Sequence, residues 1–424
     1  MSFFNKLKSK AQEALHGNNE DSNRQDLSNM ASPSHSAFHH NGQTLNFTKS
    51  HLQSQGAKTP HPGNNNTNPP PAPGTLPPKL KTHTYHDSPM RFLHPSGHQH
   101  AVMRDLGFSS VLGGRIIWTW GDTLMGNQKS CMICAVDSTT IGTLDSKGIS
   151  LDSAIAPGSR NVANWIDCSP EEEADGGLEK YAFGGTNIVE YPPHSGHGVV
   201  YYLKNERPGG ISIIRGAGIA TVSITDDNIP HSNRCGNTLW SQHEPWYGDV
   251  AAVLNPSDNN IYVYGHGPVW DQDLSSRTFL ARVPADRATS LDDYEYWLNS
   301  TSSWTKQRQG NGESDGTLRL KPEDAVFDWF VMNQATPFWS NYYACWMVIH
   351  GSSWPGSDVL CRTAERLEGP WTDHGGLCST APRGDEQGFR YCITAHPEYD
   401  ASGKTVYVTW TRENEIYGVD LEWE

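Results

Sequence analysis

Residues 250–267 read VAAVLNPSDNNIYVYGHG: an apolar run, a Pro-Ser-Asp-Asn-Asn stop, then an aromatic run of Ile, Tyr, Val and Tyr. β-Branched and aromatic residues on either side of a Pro/Asp/Asn loop predict two strands joined by a turn. The chain closes on a looser version of the same unit, EYDASGKTVYVTWTRE (398–413). Further short runs of this kind are SSVLGGRIIWTW (109–120), GVVYYL (198–203), GISIIRGAGIATVSI (210–224), RTFLARVP (277–284) and YYACWMVIHG (342–351). Each is bounded by Gly, Pro, Asn or Asp, and amphipathic helices are scarce. The fold class expected is all-β. Roughly 340 residues of such units oversize a single sandwich but suit five blades of roughly 70 residues each, so the architecture expected is a five-bladed β-propeller.

Composition divides the chain in three. Residues 1–17, MSFFNKLKSKAQEALHG, place Phe3, Phe4, Leu7, Ala11, Ala14 and Leu15 at helical spacing among Lys6, Lys8 and Lys10. This predicts a short amphipathic basic helix suited to an anionic membrane surface or a protein partner, although a short isolated helix also frays readily. Residues 18–82 are rich in Asn, Ser, His and Pro and read as a disordered tether. Residues 83–424 form the folded body.

A net charge of −15 opposes attraction to phosphate backbones, so nucleic acid is excluded as a partner. No apolar run is long enough to span a membrane, and the N-terminus lacks the apolar core of a secretory signal. The expected location is cytoplasmic, peripheral to a membrane if the helix binds one, and the expected state is a monomer. Eight scattered cysteines suggest reduced thiols rather than a disulfide framework. Cys131 and Cys134 lack a second matching pair, and His94, His98 and His100 fall in a Gly-Pro loop; no metal and no cofactor is expected.

Chemistry is sought where carboxylates end strands. These are Asp105 in RDLGFSS, Asp122 in WTWGDT, and Glu244 and Asp249 in QHEPWYGD, with His396 and Glu398 in HPEYD. If inner strands converge on a central channel, acids from different blades meet there. One carboxyl group then donates a proton to a glycosidic oxygen while another attacks the sugar or activates water. Arg104, Trp120, Trp246, Trp339, His243 and His396 are candidate substrate-binding residues, with Trp118 and Trp240 as further stacking platforms. Each acid also has a structural reading. Asp122 and Asp249 suit turn or strand caps, and Asp105 adjoins Arg104.

The combination RDLGFSS…RIIWTWGDT, EPWYGDVAAVLN…NIYVYGHG…RTFLARVPADRATSLDDYEYW and ITAHPEYDASGKTVYVTWT resembles the five-bladed β-propeller family that includes microbial endo-D-arabinanases. That family is related in fold to arabinanase and xylosidase propellers. The resemblance covers roughly residues 85–424 and implies acids from separate blades lining a central funnel, carried here by Asp105, Asp122, Glu244 and Asp249. The family pattern usually has glycine directly after the first acid, where this chain has Leu106. The function implied is a glycoside hydrolase acting on a furanoside or related glycan, with Asp105 or Asp122 as base or nucleophile, Glu244 as proton donor and Asp249 tuning pKa. The alternative is a noncatalytic carbohydrate- or protein-binding propeller tethered through residues 1–17.

Overall fold

The structure, a computed structural model, describes residues 72–424 apart from 87–88, 95–101, 127–131, 143–147, 160, 209–211, 269–271, 313–315, 329–333, 354–355 and 385–387. The helix expected over 1–17 and the tether up to residue 71 lie outside the described residues. The chain is all-β, with helical turns of at most five residues among the described ones.

Five sheets of four to six strands, each a succession of mainly antiparallel neighbours, follow one another along the chain, beside one three-stranded and one two-stranded sheet. The first starts with the hairpin Phe108–Leu112 and Arg115–Trp120, turned by Gly113 and Gly114, both at positive φ, and continues outward through Ser138–Gly142 and Ile149–Asp152 to a parallel edge at Arg91–Leu93. The second runs outward from Tyr181–Glu190 through His197–Glu206 and Ile213–Ile224 to Pro230–Arg234. The third begins with the hairpin read from the sequence, Ala251–Asn255 against Asn260–His266, and continues through Arg277–Pro284 to Glu295–Leu298 and Ser303–Thr305. The fourth comprises Phe338–Ser340, Cys345–Gly351, Asp358–Ala364 and Thr372–Ser379.

The fifth sheet is assembled from both ends of the described chain. Arg390–His396, Thr405–Arg412 and Glu415–Trp423 are followed by Leu80–Tyr85, which pairs antiparallel along Glu415–Trp423. The first strand among the described residues therefore begins at Leu80, inside the segment that composition assigns to the tether. Thr82 to Thr84 are exposed, and their polarity, which resembles a linker's, is that of an outer edge strand.

The apolar core consists of five wedges, one between each pair of neighbouring sheets. Leu112, Ile117, Phe183 and Val200 join the first and second sheets. Val199, Ile219, Val263 and Phe279 join the second and third, and Tyr264, Leu280, Trp346 and Val348 the third and fourth. Met347, Ile349, Ile393 and Val408 join the fourth and fifth. Ile116, Trp118, Trp120, Tyr407 and Ile416 bring the fifth back onto the first. The sheets thus contact one another in a closed cycle.

Polar contacts from the innermost strands and the residues beside them cross the first four of these seams. Each such strand has one ladder edge with no strand beside it, and buried main-chain groups there need partners. Ser110 Oγ accepts from Ile188 N–H at 2.8 Å, and Thr119 Oγ1 donates to Thr186 O at 2.7 Å. The Asn187 amide acts as a substitute peptide toward Ala252, donating to its carbonyl at 2.6 Å and accepting from its N–H at 3.0 Å. Gln334 Nε2 donates to Asp249 O at 2.6 Å, and Thr394 Oγ1 accepts from Thr336 N–H at 3.2 Å.

Trp423, fully buried in the fourth–fifth wedge and register-paired with Leu80, tests the closure. Trp423→Ala is expected to cost about 3–5 kcal/mol, read as a lowered denaturant midpoint in equilibrium unfolding.

Candidate active site

The hairpin Phe108–Leu112/Arg115–Trp120 does not stop at Trp120. The same two chain segments pair again as Val102–Arg104 against Thr123–Met125, now in a separate three-stranded sheet. Between the last rung of one ladder, Phe108 with Thr119, and the first of the other, Arg104 with Thr123, the backbone breaks. Leu106 (φ 63°) and Gly107 (φ 112°) both lie in the left-handed region. A side chain at Gly107 would meet the Trp120 ring at 2.7 Å, so glycine is required there. Leu106 adopts the glycine-like conformation itself and buries its side chain.

Asp105 and Asp122 face each other across this break. Asp105 N–H donates to Asp122 O at 3.2 Å and Gly121 N–H to Asp105 O at 3.1 Å. The Asp105 carboxylate accepts from Asp122 N–H at 2.7 Å through Oδ1 and from Tyr391 O–H at 3.1 Å through Oδ2. Tyr391 is the second residue of Arg390–His396, the innermost strand of the fifth sheet, so the pair sits on the first–fifth seam. Burial raises the Tyr391 hydroxyl well above the usual tyrosine range, reinforced by the negative charges of Asp105 and Asp122, so it remains a donor. Thr411 Oγ1 donates to Leu106 O at 3.1 Å and Arg104 N–H to Asn414 O at 2.7 Å, fastening the break to the fifth sheet.

Asp105 is buried, with both oxygens engaged, whereas Asp122 is half-buried. The 2.7 Å bond ends on Asp122's own amide. The Asp105 carboxylate is thus held against the backbone of Asp122, which makes the two acids neighbours across the break.

The other expected acids are engaged elsewhere. Glu244 is fully buried; Arg308 donates to both its oxygens, at 2.8 Å from Nε and by a second bond from Nη2, and Ser241 N–H adds a bond at 2.8 Å. This clamps the loop ahead of the third sheet and leaves Glu244 no accessible oxygen. Asp249 accepts from His266 through both oxygens, from the backbone N–H at 2.9 Å and in contact with Nδ1 at 2.9 Å. It thereby caps the end of the partner strand Asn260–His266.

Most of the expected binding residues are core. Arg104 is fully buried, ion-paired with Asp152, bonded to Thr123 Oγ1 at 3.3 Å and placed 4.4 Å from the Phe92 ring centre. Trp118 and Trp120 stack at 5.2 Å in the fifth–first wedge, and Trp240 and Trp246 fill the second–third wedge. These indoles hold sheets together and offer no face to a sugar. Trp339 is 45% exposed and packs edge-on against Trp346; His243 is exposed. Sequence reading missed Tyr391, whose strand RYCITAH looks like ordinary core, and Arg308, which lies 64 residues from its partner in a polar loop.

His396 is also core. Its ring lies tilted against Trp118, centres 4.2 Å apart, and its ring nitrogens contact Ser109 Oγ and Thr409 Oγ1, each at 2.7 Å. Ser109 O–H donates to Glu398 at 2.8 Å, so its oxygen accepts from His396 Nδ1–H, and Nε2 accepts from Thr409. Burial pushes this imidazole down to about 3 and raises the Glu398 carboxyl.

No family model matches the chain, and no curated protein does. Among solved structures, the chain is similar to a protein from Bacteroides ovatus ATCC 8483 described as a "putative hydrolase". The TM-score is 0.53 at 18% identity, over 75% of this chain and 85% of that one, a likeness of fold. An exo-β-1,3-galactanase from Phanerochaete chrysosporium, solved with galactose, matches at TM-score 0.43 and 9% identity, over 81% of this chain and 64% of that one. A GH43_1 enzyme from Xanthomonas citri, solved with xylotriose, matches at 0.40 and 9%, over 76% and 87%.

The His396 environment sets a pH dependence. Its folded pKa lies below the unfolded value of 6.5, so the unfolded chain takes up the proton first. The contribution is complete above pH 6.5 and is lost as pH falls from there toward 3, amounting to a few kcal/mol by linkage. His396→Gln is expected to flatten the stability profile over that window, measured by urea unfolding at a series of pH values.

Proposed function

We propose that the five sheets are the blades of a closed five-bladed propeller that acts as a glycoside hydrolase on a furanoside or related glycan. Asp122 serves as base or nucleophile, and Asp105 is its fixed partner. The observation that carries this reading is the bond from Asp122 N–H to the Asp105 carboxylate, which sets two acids together at a backbone break with one of them half-buried. A carboxylate whose neighbours are fixed in advance suits a reaction that develops charge at a sugar carbon. The fold shared with the Bacteroides ovatus protein agrees with it.

Glu244 is the proton donor in this scheme only if Arg308 withdraws from it; Asp249 and His266 act on the surrounding loop. A noncatalytic carbohydrate-binding propeller is the second reading, favoured by that Glu244–Arg308 pairing, which occupies the residue placed as donor.

Hydrolysis of aryl α-arabinofuranoside, β-xyloside and β-galactoside by the full chain tests both readings. Cleavage of at least one substrate is expected, with Asp122→Asn lowering kcat/KM by about 10²–10⁴-fold at unchanged thermal midpoint. Sugar binding without cleavage supports the second reading, and cleavage that survives Asp122→Asn removes Asp122 from the mechanism. Glu244→Gln that keeps full activity removes the donor assignment alone.

A further inference from the structure

Behind the carboxylates lies a charged pair that the proposed chemistry leaves unused. Arg104 and Asp152 are both fully buried and bonded to each other through Nη2 and Oδ1. Arg104 Nη1 and Asp152 Oδ2 have no hydrogen-bond partner among the described residues. The pair is thus singly bonded where a two-pronged contact is the more stabilising geometry, and a buried pair of this kind is no better for stability than an apolar one.

Its position gives it a use. Arg104 immediately precedes Asp105, and its register partner Thr123 immediately follows Asp122. Arg104 Nε donates to Thr123 Oγ1 at 3.3 Å, which in turn contacts Ser138 Oγ at 2.7 Å. The guanidinium lies 4.4 Å from the Phe92 ring centre and 5.5 Å from that of Trp120, two rings that pack edge-on against each other at 5.0 Å. Trp120 is also the ring that forces glycine at position 107. Asp152, in the strand Ile149–Asp152, anchors the arrangement to the body of the first sheet.

We propose that Arg104 and Asp152 are positioning residues: their ion pair locks the Arg104–Thr123 rung, so that the backbone break beyond it presents Asp105 and Asp122 in one fixed relation. This rests on the reading of those acids as the reacting groups. The pair touches no substrate; it removes the freedom of the two segments to slide or open where the ladder ends.

The test uses the full chain and two variants. Arg104→Met/Asp152→Leu exchanges the ion pair for apolar side chains, a replacement that buried pairs tolerate without loss of stability. Thr123→Val removes the Arg104 acceptor while keeping every charge and the side-chain shape. The readouts are hydrogen exchange at the Asp122 amide, which needs no activity, and kcat against KM on a cleaved aryl glycoside. Expected for the double variant are an unchanged urea midpoint, Asp122 exchange faster by about tenfold or more, and kcat lower by about 10–100-fold with KM within about twofold. Thr123→Val is expected to move both readouts the same way by a smaller factor, and it decides the matter alone if the double variant does not fold.

Wild-type exchange and wild-type kcat in the variants that fold overturn the positioning role while leaving the hydrolase reading intact. A wild-type chain that cleaves none of the substrates overturns the hydrolase reading, and Asp122 exchange then still decides whether the pair holds the acids in place. A KM effect with unchanged kcat and exchange also overturns the proposal, because it assigns the pair to binding.

Discussion

Strand Leu80–Tyr85 runs along Glu415–Trp423, and the remaining architecture depends on that pairing. Lys81 and Glu422, 341 residues apart, meet at 2.7 Å, and Glu424 N–H donates to Lys79 O at 2.9 Å. The exposed ion pair contributes little by itself. The ladder beneath it matters more, because without it the strand Glu415–Trp423 is an edge, and Val419, Leu421 and Trp423 lose a covering neighbour. Apart from the parallel edge at Arg91–Leu93, the other sheets form between strands near in sequence, whereas this one needs nearly the whole described chain closed as a loop against its entropy. Five wedges of apolar contacts reward that closure together, since each sheet lies between two others.

The inner strands show how such a cycle manages its own edges. Ser110, Thr119, Asn187, Gln334 and Thr394 are short polar residues at these seams, and each satisfies a main-chain group of a neighbouring sheet or of the loop leading into it. Hydroxyls and amides are short enough to let the strands approach, and they replace the missing ladder bonds. Replacing one by an apolar residue would leave a buried N–H or C=O unmet, at about 1–3 kcal/mol each. These seams are therefore polar for reasons of packing before any question of ligand arises.

Much of this was legible in the chain. Strand-forming residues, their spacing and the Gly, Pro, Asn and Asp between them placed RTFLARVP at Arg277–Pro284 and the hairpin of 250–267 at Ala251–Asn255 and Asn260–His266. Asp105 and Asp122 were found as strand-terminal acids, but their mutual bond was hidden, because it depends on Leu106 entering the left-handed region that sequence assigns to glycine. The tryptophans misled for a related reason. An indole stacked between sheets and an indole exposed to a sugar have the same composition, and only the wedge Trp118 and Trp120 share with Tyr407 distinguishes them. Glu244 could not be read as clamped, since its partner Arg308 is set by the third sheet's topology and not by local pattern.

An apolar strand that runs into Gly-Asp-Thr has a physical cause in this arrangement. RIIWTW packs its Ile and Trp residues into the wedges, then must change ladder partner to continue as Thr123–Met125. The change leaves main-chain donors unpaired at the transition, and Asp105 satisfies one of them, the Asp122 N–H. A turn-capping role for Asp105 and a chemical role for Asp122 are therefore compatible, because the first holds the second in place. Tyr391 belongs to the same sheet that Leu80–Tyr85 completes, so the geometry of the pair is tied to ring closure.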